Sequence, residues 1–160
     1  MVFSDFTKIS KYFYDLFAVQ NYDLLKDLVK KNNIVAKKNV RSDASISIRT
    51  GVIPFDDAIA GTDLYEAEMP EYSGFSCVII IDSGKREASQ DALNIVASIS
   101  QRVRYILLQQ DFKYFTNIAG IPVNILNLEE NSDISIDDSK SEFVYQMFAI
   151  TGIYKITIND

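Results

Sequence analysis

At 160 residues, with 48% apolar and 24% charged side chains, the chain has the composition of a folded globular protein and not of a disordered one. It has no histidine and a single cysteine. That excludes Ser-His-Asp and Cys-His catalysis, zinc sites built on histidine, and a cysteine-rich zinc site made by this chain alone. The net charge of −6 has the wrong sign for a generic nucleic-acid binder.

One domain with a real core is the simplest reading at this length. The longest apolar run is Cys77-Val78-Ile79-Ile80-Ile81, far short of a membrane span. Asp5 and Lys8 interrupt what would be the apolar core of a secretory leader, and a lone cysteine fits a reducing compartment. A soluble protein made in the cytoplasm, with no membrane contact, is expected.

In chain order, Ser4 or Asp5 is placed to cap a helix over residues 7–20. Its apolar face is Phe6, Ile9, Phe13, Leu16 and Phe17. A second short helix is predicted over 22–31, with Leu24, Leu25, Leu28 and Val29 inward; Lys30 and Lys31, followed by Asn32 and Asn33, end it. Residues 45–53 alternate as a strand and stop at Pro54. Residues 54–74 hold two prolines and two glycines without strong periodicity and read as a long loop, with a helical turn near 56–60.

Residues 75–81 form a buried strand, which Ser83-Gly84 breaks. A long helix follows over 86–109, striped by Ala88, Ala92, Ile95, Val96, Ile99, Val103, Ile106 and Leu107. Residues 113–120 connect it to a strand over 123–128. An acidic loop follows, with Glu129, Glu130, Asp133, Asp137 and Asp138, and then a terminal strand over 143–158. The predicted class is α+β: a largely antiparallel sheet packed against a long helix, with N-terminal helices.

The terminal strand is long for one small domain, about 50 Å if fully extended. Gly152 in its middle also allows a bulge or two shorter strands. Val144, Phe148, Ile150, Tyr154 and Ile156 fall on one face, and Phe143, Tyr145, Met147 and Ile153 on the other. One helix layer covers one face, so a neighbouring subunit is expected to cover the rest.

Charge is segregated along the chain. Residues 26–49 carry seven bases (Lys26, Lys30, Lys31, Lys37, Lys38, Arg41, Arg49) against two acids. Residues 51–84 carry seven acids (Asp56, Asp57, Asp63, Glu66, Glu68, Glu71, Asp82) and no base. Such a layout is complementary between copies, the basic stretch of one facing residues 54–71 of the next.

The sharpest candidate for chemistry is Asp82, at the end of CVIIID and before a helix. A carboxylate there is a common Mg²⁺ ligand, and with Glu66 and Glu68 it would outline a metal-dependent phosphohydrolase or nuclease. The adhesion-type metal pattern Asp-x-Ser-x-Ser fails, since the chain reads Asp82-Ser83-Gly84-Lys85-Arg86. The plainer reading is a turn that starts a helix. No phosphate-binding glycine loop is present. The bases of residues 26–49 are not interleaved with aromatics, which argues against binding of single-stranded nucleic acid. Cys77 reads as apolar filler. The chain is expected to be non-catalytic, without cofactor or metal.

The N-terminal helix, the acidic segment between strands, the unit GFSCVIIIDSGKREASQDALNIVASISQRVRYIL and the closing FAITGIYKI resemble, in element order, the tail terminator and tail-completion (neck) proteins of tailed bacteriophages. That resemblance implies a structural virion protein at the head–tail junction, made in the host cytoplasm. It implies a homo-oligomeric ring, of six copies, contacting the tail tube and the head-completion or connector proteins. The pair of N-terminal helices departs from the pattern. The group has no catalytic signature, so no residue role carries over. Contact between copies is expected through Lys30, Lys31, Lys37, Lys38, Arg41 and Arg49, through Asp56, Asp57, Asp63, Glu66, Glu68 and Glu71, and through Phe148, Ile150, Tyr154 and Ile156. A non-catalytic adaptor or chaperone that holds a partner strand is the third class considered.

Overall fold

The structure, a computed structural model, describes residues 1–36, 43–85, 89–110, 112, 116–137 and 141–158; for 132–137 and 141–145 it describes the backbone alone. Strand β1 (Val2–Phe3) leads into helix α1 (Thr7–Asp15). The Asp5 carboxylate accepts from the Thr7 amide at 3.1 Å and the Thr7 hydroxyl at 2.6 Å, a turn just ahead of the helix, whose cap position is Phe6 and not the expected Ser4 or Asp5. A wider π turn, Leu16–Gln20, carries it on to the predicted end. Ile9, Phe13, Leu16 and Phe17 are fully buried, so the predicted face is the packed one.

The second helix does not form as a regular helix. Tyr22–Leu24 and Lys31–Asn33 are separate 3₁₀ turns. About ten residues cannot offset the cost of helix nucleation alone. Tertiary bonds fix the segment instead: the Tyr22 hydroxyl donates to the Val29 carbonyl at 2.9 Å, and Leu25 and Val29 are buried.

The sheet is built from β2 (Ile34–Val35), β3 (Ser45–Ile53), β4 (Tyr72–Asp82), β5 (Thr116–Ile118), β6 (Ile121–Asp137) and β7 (Ser141–Lys155). Their order is β2-β3-β4-β7-β6-β5. The β2–β3 pair is parallel and every other pair is antiparallel. A final strand, β8 (Thr157–Ile158), pairs with β1 and ties the two ends of the described chain together. Helices α1, α2 (Phe55–Ile59) and α3 (Gln90–Leu108) complete an α+β fold.

Helix α3 begins where the Ser89 hydroxyl accepts from the Ala92 amide at 3.1 Å; residues 86–88 of the predicted helix lie outside the described residues. Ala92, Val96, Ile99, Val103, Ile106 and Leu107 share one core with Ile46, Ile48, Phe75, Cys77, Ile79, Ile81, Phe148, Ile150 and Tyr154. These strand residues alternate along β3, β4 and β7, so one sheet face is the helix-covered inner face.

Two further expectations need correction. Residues 129–137 are not a loop. They are the second half of β6, paired with β7 rung by rung until Asp137 stands opposite Ser141; Asp138 lies outside the described residues. Cross-strand pairing overrides the poor strand propensity of Glu, Asn and Asp. Nor is the segment 54–74 a bare loop. Ala58 and Ile59 are buried with Ile153 in a second core, flanked by Ile53, Phe55, Leu64, Met69, Tyr72 and Leu126. It covers the outer sheet face at that end.

The terminal strand therefore hides more of itself than its composition suggested. Its inner residues Phe148, Ile150 and Tyr154 lie in the main core, and Ile153 lies beneath the 55–72 segment; the side chain of Val144 lies outside the description. Among the residues whose side chains are described, Met147, Ala149 and Thr151 remain half-buried on the outer face, beside Ser76, Val78 and Ile80 of β4; the side chains of Phe143 and Tyr145 lie outside the description. The bulge foreseen at Gly152 falls on the neighbouring strand, between Ile125 and Asn127 of β6.

Candidate functional site

Asp82 ends β4 and is nearly buried. Its Oδ1 accepts from the Gly84 amide at 2.8 Å, while Ser83 Oγ accepts from the Lys85 amide at 3.1 Å; Gly84 has φ of 73°. This is an Asx turn leading out of the strand, the plainer of the two readings. Glu66 and Glu68 precede Met69, whose carbonyl accepts from Tyr72 at the opposite end of β4. An eleven-residue strand separates them from Asp82 by about 30 Å. The carboxylates that a two-metal site needs are not brought together. Among the described residues no three His, Cys, Asp or Glu side chains converge.

The charged residues separate along β3. Lys30 lies near the Ser45 end, its Nζ 3.0 Å from Asp43 Oδ2, and Lys31 Nζ stands 5.9 Å from the centre of the Tyr22 ring. Lys26 pairs with Asp23 at 3.6 Å and Asp27 with Arg102, so the described charges there are largely balanced among themselves. Lys37, Lys38 and Arg41 lie outside the described residues. Arg49 is exposed on the outer face in the middle of β3.

The acids collect at the other end. Asp56 and Asp57 are exposed on α2, and Asp63, Glu66 and Glu68 are exposed on the segment beyond it. None of the five has an ion-pair partner among the described residues, whereas Glu71 meets Lys155 Nζ at 3.5 Å. Glu66 holds a left-handed φ of 67°, and Gly61 turns the chain with φ of 74°. The acidic end projects from a segment that its own apolar residues hold to the sheet.

Phe148, Ile150 and Tyr154, expected between copies, are 2%, 0% and 6% exposed in the chain's own core. That removes them as contact residues. Ile156 is half-buried against the same core, and its amide donates to the Glu71 carbonyl at 2.8 Å.

Sequence reasoning missed the sheet edges. β5 pairs with β6 only from Ile121 to Val123, so among the described residues 124–137 have no strand on that side. β2 pairs with β3 only at Ile46 and Ser47, which leaves 48–53 similarly open. An unpaired edge presents bare N–H and C=O groups to any extended partner. The β6–β7 hairpin also runs past the sheet: β4 ends where Asp82 faces Tyr145, and the pairs from Ile134 opposite Val144 to Asp137 opposite Ser141 lie beyond it.

One groove of about 590 Å³ lies beside α3, lined by Leu24, Gln101, Arg102, Arg104, Tyr105 and Leu108. Arg102 spans it to the Leu24 carbonyl at 2.9 Å, and Arg104 pairs with Glu130 of β6. No helix among the described residues is long and apolar enough to cross a membrane. Compared with known families and with curated proteins, the chain matches no family model and no characterised sequence.

Proposed function

We propose that this chain is a structural subunit that works by assembling with copies of itself, as the phage tail terminator and neck proteins it resembles do, in a ring at the head–tail junction. The observation that carries the reading is the β6–β7 hairpin. Among the described residues it extends four residue pairs, about 13 Å, past the last strand that supports it. A two-stranded ribbon is marginal in water without a third strand or a packed partner. A neighbouring copy, the tail tube or the head-completion protein would supply that support. The exposed acids of residues 56–68 add a strongly negative end suited to a basic partner surface.

The competing metal-dependent hydrolase loses its geometric basis with the separation of Asp82 from Glu66 and Glu68. Size-exclusion chromatography with light scattering, at low and physiological salt, tests the assembly reading. Multimers are expected at micromolar concentration, with rings in negative-stain images. One-chain mass at every concentration, unchanged by tail-tube or connector protein, overturns it. A monomer that instead orders its hairpin on a single foreign strand would favour the adaptor reading.

A further inference from the structure

Arg49, Val78, Ala149 and Glu129 form one row across the outer sheet face. Arg49 stands opposite Val78, Val78 opposite Ala149, and Ala149 opposite Glu129. The row begins with an exposed base on one open edge and ends with an exposed acid on the other. The open lengths match in level too: residues 48–53 of β3 and 124–130 of β6 lie across the same rungs of β4 and β7.

The geometry points to a heterologous, edge-to-edge contact in which β6 of one copy pairs with β3 of the next, setting Glu129 beside Arg49 and continuing the sheet from copy to copy. This inference rests on the assembly reading and names its interface. Strand direction supports it. β3, β4, β7 and β6 alternate in direction, so β6 beside a neighbour's β3 is an antiparallel pair, and antiparallel pairing is the more stable kind.

Charge decides between this and the simpler two-fold contact. β6 carries four acids and no base, so pairing β6 with its own copy sets like charges together. β3 carries Arg49 and no acid, and the groove of about 390 Å³ that Arg49 lines with Ser10, Tyr14, Ile48 and Thr50 adds no net charge, because its Lys11 Nζ is paired with Asp15 at 2.5 Å. Complementary unlike edges specify a head-to-tail contact, which closes as a ring when the rotation closes. Base and acid share one level, so rotation about an axis parallel to the strands brings them together without a rise along it.

The test uses wild type, Glu129→Lys, Arg49→Glu and the double variant in concentration-dependent light scattering. Each single variant is expected to raise the half-assembly concentration roughly tenfold, and the double to restore it to near wild type. If wild type assembles and the singles assemble equally well, or the double is no better than the singles, this interface is wrong while the assembly reading survives. If wild type stays at one-chain mass, both fall. Oxidation of Arg49→Cys/Glu129→Cys should give a ladder of covalent multimers, and neither single cysteine variant should. A covalent dimer from Glu129→Cys alone would replace this contact with the two-fold one.

Discussion

Phe75 lies across Gly152. The two stand directly opposite on β4 and β7, and a Cβ added to Gly152 would sit 2.7 Å and 2.9 Å from two carbons of the Phe75 ring and 2.5 Å from the Asn124 carbonyl oxygen. No real Cβ tolerates such contacts, so the ring and the β6 backbone occupy the space that a side chain would need. Gly152→Ala is therefore expected to cost about 1–3 kcal/mol through overpacking. Gly51→Ala, where an added Cβ meets nothing within 4 Å, is the matched control and should stay within about 0.5 kcal/mol. Urea unfolding of both reads the difference. Equal midpoints would mean that Phe75 swings aside at little cost.

Ile153 is fully buried on the outer face under Ala58 and Ile59. Its removal strikes the smaller core, so Ile153→Ala should cost about 2–4 kcal/mol and loosen residues 55–70 before the rest. Hydrogen exchange is expected to show that segment exchanging faster while α3 and β4 keep their protection. Uniform loss of protection would instead make the two cores one cooperative unit.

How much of this was legible depends on which interactions decide each element. β3 was readable to the residue because Ser, Ile and Thr alternate under a Pro54 stop, and helix α1 because Ile9, Phe13, Leu16 and Phe17 recur at helical spacing. The second half of β6 was not. Glu129, Glu130 and Asn131 resemble a loop until Ala149, Phe148 and Met147 stand opposite them. Long-range pairing supplies the reason, and a linear pattern does not contain it. Likewise Ala58, Ile59, Leu64 and Met69 show no period, because an irregular segment packs wherever the sheet offers apolar surface. The Ala119-Gly120 turn, with φ of 52° and 88°, is a two-residue hairpin whose first position lacks the usual Asn or Asp. The open edges follow from strand order, and order is not written in any local stretch. Charge segregation was visible, but the row joining Arg49 to Glu129 was not.

Asp82 provides a local test of the turn against the metal reading. With its Oδ1 holding the Gly84 amide, Asp82→Asn keeps an acceptor in place and should change stability by less than about 0.5 kcal/mol. Asp82→Ala removes the bond and should cost about 1 kcal/mol or somewhat more. Calorimetric titration of wild type with Mg²⁺ or Mn²⁺ is expected to show no saturable heat. A binding isotherm abolished in both variants would return the carboxylate to a metal role.

Cys77 carries the clearest pH signature. Burial in β4 pushes its thiol up to about 12, with the Thr50 contact opposing only part of that shift. The neutral thiol is the form the fold accepts. Its contribution is thus complete below the unfolded value near 9 and is lost progressively as pH rises from there toward 12. Stability measured in urea should hold level to about pH 9 on this account and then fall, and Cys77→Ala should flatten that alkaline limb after its own cavity cost is subtracted. Alkylation reports the same state independently, because only thiolate reacts. At pH 8 the folded protein should resist iodoacetamide and react at the rate of global unfolding. Fast labelling of the native protein would mean that β4 opens locally at its centre.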